Sequence, residues 1–210
     1  MPKKSRKAKK PSSLKYVAAV LAVLIIAVLG YSLYVYYQSG AAEQGIIVCG
    51  EDGSCVWQAH IHAYIVPVVC GVEEKLPIEV NELEETHTHE EKNTIHFHAS
   101  LPYDKSSGEI IDKTPLKLGT FFDGINVRFT DTCFMDKCSG DLCNGKPGTL
   151  KVFANTEKYW EKGTPWGTAD RNYVWSDRDI IYIAFDERSG QETAEFLRDA
   201  RIEWPVLGVG

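Results

Sequence analysis

The sequence lacks the short motifs that mark many zinc enzymes and redox proteins. Its 210 residues contain no His-Glu-x-x-His segment, and none of its six cysteines belongs to a Cys-x-x-Cys pair. It also has no Asn-x-Ser/Thr acceptor site and no domain-sized internal repeat. These absences argue against a metalloprotease of the His-Glu-x-x-His type, a thioredoxin-like redox centre and a zinc ribbon.

Charged residues are missing from Tyr16 to Ala42, and acidic residues are missing from the whole chain before Glu43. Seven lysine and arginine residues precede the uncharged stretch. About 20 apolar residues cross a bilayer, and flanking positive charges mark the cytoplasmic side. We therefore expect a cytoplasmic basic tail (1–15) and a transmembrane signal-anchor helix (16–38). These would make a single-pass protein of the cell membrane, with the lipid bilayer as its partner and the remaining chain outside. The alternative is a signal peptide cleaved near Ser39-Gly40-Ala41.

The rest of the chain is strongly acidic. All 29 acidic residues lie from Glu43 onward with 16 of the 23 basic ones, which gives this part a formal charge of −13. Such a charge makes nucleic acid an improbable partner and attracts cations. The roughly 170 residues that follow the uncharged stretch suit a single hydrophobic core. We therefore expect one exported domain (56–204), preceded by a linker that includes an entry strand (39–55).

The cysteines all lie in this expected exported part. Their even number predicts structural disulfides, for which fifteen pairings are possible. If the disulfides form, no thiolate is available to a metal, and imidazole becomes the main candidate ligand. The cysteines are Cys49, Cys55, Cys70, Cys133, Cys138 and Cys143.

Every histidine belongs to a His-x-His pair, and the three pairs lie within about forty residues of chain. Because alternate residues of a β-strand point to the same face, each pair presents two imidazoles on one side. The sequence therefore predicts one metal site, or two adjacent ones, for Cu(II) or Zn(II). The plainer alternative is a set of half-buried strands in which histidine serves only as a polar residue. The predicted ligands are His60, His62, His87, His89, His96 and His98.

The second and third pairs are predicted to form a β-hairpin, because the polar run Glu90-Glu91-Lys92-Asn93 between them indicates a turn. If the loop has an even number of residues, His87 lies opposite His96 and the four imidazoles share a face, whereas an odd number separates them. The neighbouring glutamates would raise the local cation concentration and could accept hydrogen bonds from imidazole N–H groups. For each glutamate alone, a solvated edge is the plainer interpretation.

The remaining pattern predicts an α+β fold. Alternation predicts a strand from Val56 that carries His60 and His62 on one face and turns at Val69-Cys70-Gly71. The aromatic-rich segment from Tyr159 to Trp175 is interpreted as core and loop packing, with a surface for an unknown partner protein as the alternative. Further strands are predicted near 76–80, 150–154 and 180–185, a short helix from Thr114-Pro115 to Asp123-Gly124, and a late helix from Ser189, where Ser-Gly-Gln-Glu192 matches a capping box.

The order of hairpin, short helix and two strands resembles the β-grasp arrangement of ubiquitin-like domains. From Trp57 to Phe185 the chain is also similar to uncharacterised, membrane-anchored proteins of archaea and small-genome bacteria. The shared motifs are the three His-x-His pairs, the acidic Glu90-Glu91 and Leu118-Gly119-Thr120-Phe121-Phe122. The resemblance implies a β-grasp-like exported domain with an inserted histidine-rich hairpin and a Cys133–Cys143 disulfide. It implies no activity.

Three classes of function follow. The first is a membrane-tethered, extracytoplasmic metal-binding protein that captures, buffers or delivers Cu(II) or Zn(II) without catalysis. The second is an extracytoplasmic interaction module without metal, on which the histidines form a pH-sensitive surface. The third is a zinc-dependent hydrolase or hydratase in which three histidines hold the ion and Glu85 or Glu90 serves as a nominal base. No catalytic residue is assigned.

Overall fold

A computed structural model describes residues 13–39, 45–78, 86–88, 93–156, 166–200 and 202. The chain divides into two compact units, Met1–Ala42 and Glu43–Gly210. Helix α1 (Ser13–Ser39) belongs to the first unit. All the strands among the described residues belong to the second unit. The predicted boundaries of the tail, linker and exported domain stay predictions.

The predicted transmembrane helix is corrected by the structure. Within the described residues, no helix is both long enough and apolar enough to cross a membrane. The purely aliphatic run of α1, from Val17 to Leu29, is itself shorter than the roughly 20 apolar residues that a bilayer requires.

The second unit is built mostly from short β-strands. In chain order they are β1 (Gly45–Cys49), β2 (Cys55–Ala59), β3 (Ile61–Val69), β4 (Val72–Glu73), β5 (Thr86–Thr88), β6 (Thr94–Phe97), β7 (Ser100–Asp104), β8 (Glu109–Ile110), β9 (Cys133–Phe134), β10 (Lys137–Cys138), β11 (Leu142–Cys143), β12 (Lys146–Pro147), β13 (Thr149–Asn155), β14 (Gly167–Ala169) and β15 (Asp179–Asp186). Its α-helices are α2 (Leu118–Gly124), which follows a 3-10 turn at Thr114–Leu116, and α3 (Gly190–Asp199).

The larger sheet has seven strands in the order β14-β13-β15-β3-β6-β5, with β4 paired to the end of β3. Its central pair, β15 and β3, is parallel, and the other pairs are antiparallel. A second sheet has four strands in the order β1-β2-β7-β8, and β9–β10 and β11–β12 are separate two-stranded hairpins. The histidine-bearing strands β5 and β6 therefore belong to the main sheet itself.

Strand β3 separates two hydrophobic clusters because its side chains alternate between the faces of the sheet. Ile61, Ala63 and Ile65 are at most 1 % exposed and join the main cluster, which also contains the aromatic residues of α2. Val66 and Val68 point to the other face and join a smaller cluster that includes Leu197 of α3. Each large apolar side chain buried in this way contributes about 1.5–3 kcal/mol.

The predicted α+β, β-grasp-like fold with an inserted histidine hairpin is wrong. The unit is mostly β-sheet, and its helices are short, since α2 has seven residues and α3 has ten. The paired strands β5 and β6 extend the sheet from β3 instead of being inserted into it. The predicted late strands, the helix after Thr114-Pro115 and the capping box of Ser189 with Glu192 are confirmed.

Two strand predictions need correction. The strand expected from Val56 to the turn at Val69-Cys70-Gly71 is interrupted at His60, where the chain leaves the four-stranded sheet and enters the seven-stranded one. Of the strand predicted near 76–80, residues 76–78 form no strand, and residues 79 and 80 lie outside the described residues. The N–H of Leu76 instead donates to the side-chain oxygen of Asn93 at 2.8 Å, which removes it from any ladder.

All six cysteines form disulfides: Cys49–Cys55, Cys70–Cys143 and Cys133–Cys138. The prediction of structural disulfides is therefore confirmed, but the predicted Cys133–Cys143 bridge is wrong. Cys133 lies directly opposite Cys138 in the β9–β10 hairpin, with their Cα atoms 4.0 Å apart. The fully buried Cys143 instead reaches Cys70 at the end of β3.

Candidate metal centre

Three histidines form a row across three adjacent strands. His96 of β6 is paired with His62 of β3 on one side and with His87 of β5 on the other. Directly paired residues of neighbouring strands hold their side chains on the same face at short distance. His87 is therefore paired with His96, as predicted for a loop with an even number of residues, and the row extends this pair to His62.

The alternation that underlies the histidine pairs is also confirmed. The residues between the histidines, namely Ile61, Thr88 and Phe97, are between 0 and 2 % exposed. They point to the opposite side of the sheet from the imidazoles. Because these side chains fix the orientation of each strand, a one-residue slip in register would place the imidazoles in the core.

The closest approach is between His87 and His96. Nε2 of His87 lies 2.8 Å from Nδ1 of His96, so that one ring donates an N–H to the other. The two residues are 7 % and 6 % exposed, respectively. A single ion could replace this shared proton, because both nitrogens face each other and the second nitrogen of a neutral ring can carry the remaining proton.

His60 and His98 enlarge the row to five imidazoles. The ring of His60 lies 5.1 Å from that of His62 and 4.6 Å from that of His96. The ring of His98 lies 5.0 Å from that of His87 and 5.1 Å from that of His96. We call these five residues the histidine patch.

The histidine patch contains two groups of three that could each hold a metal ion, with all ligand atoms of a group within 4.8 Å of one another. The inner group is His87, His96 and His98, and the outer group is His60, His62 and His96. His96 belongs to both. In the described part of the chain, both groups consist of histidine alone, and the cysteines are occupied by disulfides.

The two groups differ in how well their rings are arranged to bind an ion. The rings of His62 and His96 are stacked, with centroids 4.2 Å apart and planes only 7° from parallel. An ion binds in the plane of an imidazole, along the lone pair of its nitrogen, so one ion cannot lie in both of these planes. The rings of His87 and His96 lie at 77° and point their nitrogens at each other. The inner group therefore needs less rearrangement than the outer one.

The backbone of His62 is held by the segment that precedes β15. Its N–H donates to the carboxylate of Asp177, and its C=O accepts the backbone N–H of Arg178 at 2.7 Å. Because both polar groups of His62 are satisfied by one loop, the start of β3 is fixed. Sequence reasoning missed Asp177, and its distance along the chain left no local signal by which to find it.

The aspartate that begins β15 has a perturbed pKa. Burial raises the pKa of Asp179 to about 6, although its carboxylate accepts hydrogen bonds from the Tyr173 hydroxyl and the Ser176 N–H. Burial and the Asp179 charge also raise the pKa of Tyr173 above its ordinary range. At neutral pH the pair is therefore a carboxylate and a neutral phenol.

The remaining predicted ligand and its acidic neighbours cannot be placed in this site. His89, Glu82, Glu84, Glu85, Glu90 and Glu91 lie outside the described residues. The hairpin turn that was predicted at Glu90-Glu91-Lys92-Asn93 is described only at Asn93, which is buried and has a positive φ of 59°.

No family model matches this chain, and neither a curated protein nor a solved structure is found to match it. The resemblance to membrane-anchored proteins with repeated His-x-His pairs therefore stays a prediction. The candidate site rests on its own geometry.

Proposed function

We propose that this protein is an extracytoplasmic metal-binding protein that captures, buffers or delivers Cu(II) or Zn(II) without catalysing a reaction. The observation that carries the proposal is the approach of Nε2 of His87 to Nδ1 of His96, with His98 completing the inner group. Five clustered imidazoles on one face are poorly explained by histidines that serve only as independent polar residues.

The chemistry of the ligands supports these two ions. Neutral imidazole nitrogen is a good ligand for both Cu(II) and Zn(II), whereas Mg²⁺ and Ca²⁺ prefer oxygen. The formal charge of −13 on the chain after residue 42 would attract any cation to the protein. The three disulfides fit an oxidising compartment outside the cytoplasm.

The test is metal titration of the purified, oxidised protein with Cu(II) and Zn(II), followed by calorimetry. The variant His87→Ala/His96→Ala removes the two ligands that approach each other most closely, and we expect it to lose at least about 100-fold in affinity. The matched control is Gln58→Ala, since Gln58 is an exposed residue of strand β2, which belongs to the four-stranded sheet and carries no imidazole.

Because His87 and His96 are buried, their substitution could reduce binding by disturbing the fold, so a second variant is needed. His98→Ala removes one ligand of the inner group from the segment after β6, and circular dichroism reports whether each variant keeps the β-sheet. Equal and weak binding of both ions by the wild type and both histidine variants would overturn the proposal. The protein would then be better explained as an interaction module.

A further inference from the structure

We infer that the histidine patch holds one ion at a time and passes it between the outer and the inner group of histidines. The outer group then serves for uptake and release, and the inner group is the resting position. This inference rests on the proposed function, because it assigns an order of events to the same metal site. It follows from the sharing of His96, the exposure of His60 and His62 and the orientation of the rings.

The shared histidine makes the two positions mutually exclusive. His96 is the only member common to both groups, and its Nδ1 is directed at His87 of the inner group. A second ion on the other nitrogen of the same ring would require the neutral imidazole to lose its last N–H proton. It would also place two divalent charges on one ring, where they repel each other.

Two ligands of the outer group reach solvent, whereas two ligands of the inner group are buried. His60 is exposed and His62 is half-buried, whereas His96 and His87 are 6 % and 7 % exposed. The third inner ligand, His98, is not buried, so the inner group also has one ligand that reaches solvent. On the side of the outer group, an ion that arrives from solvent meets His60 first. The rings of His60 and His62 lie 4.6 and 4.2 Å from that of His96, so the next ligand is within reach before the first must be released.

The stacked rings make the outer position transient. Because the planes of His62 and His96 are nearly parallel, one of these rings must rotate before both can bind the same ion. The inner pair already directs its nitrogens at a common point. The outer group therefore contributes to the path of the ion and little to its final affinity.

A ligand used only along the path has a distinct kinetic effect. It lowers the barrier between the free and bound states, and the same barrier is crossed during uptake and release. Its removal therefore slows association and dissociation by the same factor, while the dissociation constant stays unchanged. A ligand of the resting site behaves differently, because its removal raises the dissociation constant, mainly through faster dissociation.

The experiment uses His60→Ala, whose side chain is exposed and whose loss should not disturb the core. Association of Cu(II) is followed by stopped-flow quenching of tryptophan fluorescence, and dissociation by transfer of the ion to excess EDTA. We expect both rate constants to fall about tenfold, with the dissociation constant within about twofold of the wild type. Gln58→Ala is the control, and His60→Gln replaces His60→Ala if the latter is poorly folded.

The outcomes separate this inference from the proposed function. If the wild type binds neither Cu(II) nor Zn(II), both fail. If the wild type binds Cu(II) but His60→Ala matches Gln58→Ala in both rates, only the transfer path is wrong. A raised dissociation constant with faster release would make His60 a ligand of the resting site and would also overturn the inference. Calorimetry that finds two ions per chain would replace it with simultaneous occupancy.

Discussion

The carboxylate of Asp177 accepts the backbone N–H of His62 at 2.9 Å, across a separation of 115 residues. This bond fixes the start of β3, where the row of histidines begins. We expect Asp177→Ala to slow the association and the dissociation of Cu(II) by a similar factor, about threefold, because His62 belongs to the outer group, which contributes to the path of the ion and little to its final affinity. Asp177→Asn keeps an acceptor oxygen and should behave nearly as the wild type does. Stopped-flow rates of both variants are the measurement, and equal changes in the two would show that the charge matters instead of the hydrogen bond.

Two of the three disulfides should differ in their contribution to the free energy of unfolding. Cys70–Cys143 closes a sequence separation of 73 residues, whereas Cys133–Cys138 closes one of 5. Loop-closure entropy predicts a loss of about 4 kcal/mol for the double alanine variant of the first pair and about 2 kcal/mol for that of the second. Urea denaturation measures both losses. Thiol counting on the denatured wild type should find no free thiol, and a positive count would contradict the observed pairing.

Asp179 should make the protein less stable as the pH rises. Its folded pKa, about 6, lies above the ordinary value of 3.8, so the folded state holds this proton more tightly than the unfolded state does. The resulting stability is present below the unfolded pKa and is lost as the pH rises through the folded pKa. It amounts to on the order of 2–3 kcal/mol.

The variant Asp179→Asn tests this dependence, because an amide does not titrate and can still accept the bonds from Tyr173 and Ser176. Unfolding free energies measured by urea between about pH 4 and pH 7 should decline less steeply for Asp179→Asn than for the wild type. Asp136→Asn is the control, since its side chain is 77 % exposed and its removal should leave the pH profile unchanged. Parallel profiles for all three proteins would rule out the role of Asp179.

Lys151 and Asp186 form a buried ion pair between β13 and β15. Nζ of Lys151 donates to the Asp186 carboxylate at 2.6 Å and also to the backbone oxygens of Asp186 and Arg188. Burial alone would raise the pKa of Asp186, but its hydrogen bonds with Arg188 and Lys151 outweigh this and lower it. Lys151→Met should cost about 3 kcal/mol, because it leaves buried acceptors without their donor.

The control for this prediction is Lys137→Met. Lys137 approaches Asp136 only at 3.9 Å and in solvent, where an ion pair contributes less than about 1 kcal/mol. Thermal or urea denaturation compares the two variants. A similar loss in both would mean that burial of the Lys151 pair has no special effect.

Local patterns in the sequence predicted the part of the site that depends on neighbouring residues. Strand alternation placed Ile61 and Phe97 in the core and the adjacent imidazoles on the opposite face, because side chains alternate along a strand whatever the surrounding fold. The pairing of His87 with His96 was predicted only for a hairpin loop with an even number of residues, and the sequence left that number open. The inclusion of His62 in the row could not be predicted, since it depends on which strand lies beside β6.

The wrong predictions concern features that depend on residues far apart in the sequence. The pairing of Cys70 with Cys143 is decided by where β3 and β11 come together in the fold, and no local spacing encodes it. The β11–β12 hairpin could have been predicted from the sequence, because Asn-Gly is a typical turn dipeptide. Asn144 and Gly145 occupy its turn with φ values of 51° and 81°, as a type I′ turn requires. The α+β prediction gave the short helices too much weight relative to the many short strands.

Strand β5 forms one edge of the seven-stranded sheet and, in the described part of the chain, is joined to it through β6. An ion held by His87 and His96 would cross-link β5 to β6, as the disulfides cross-link other strands of the unit. The metal-free protein should therefore exchange the amide hydrogens of β5 faster than the metal-bound protein, so that the supply of a trace metal would set the local stability of this part of the sheet.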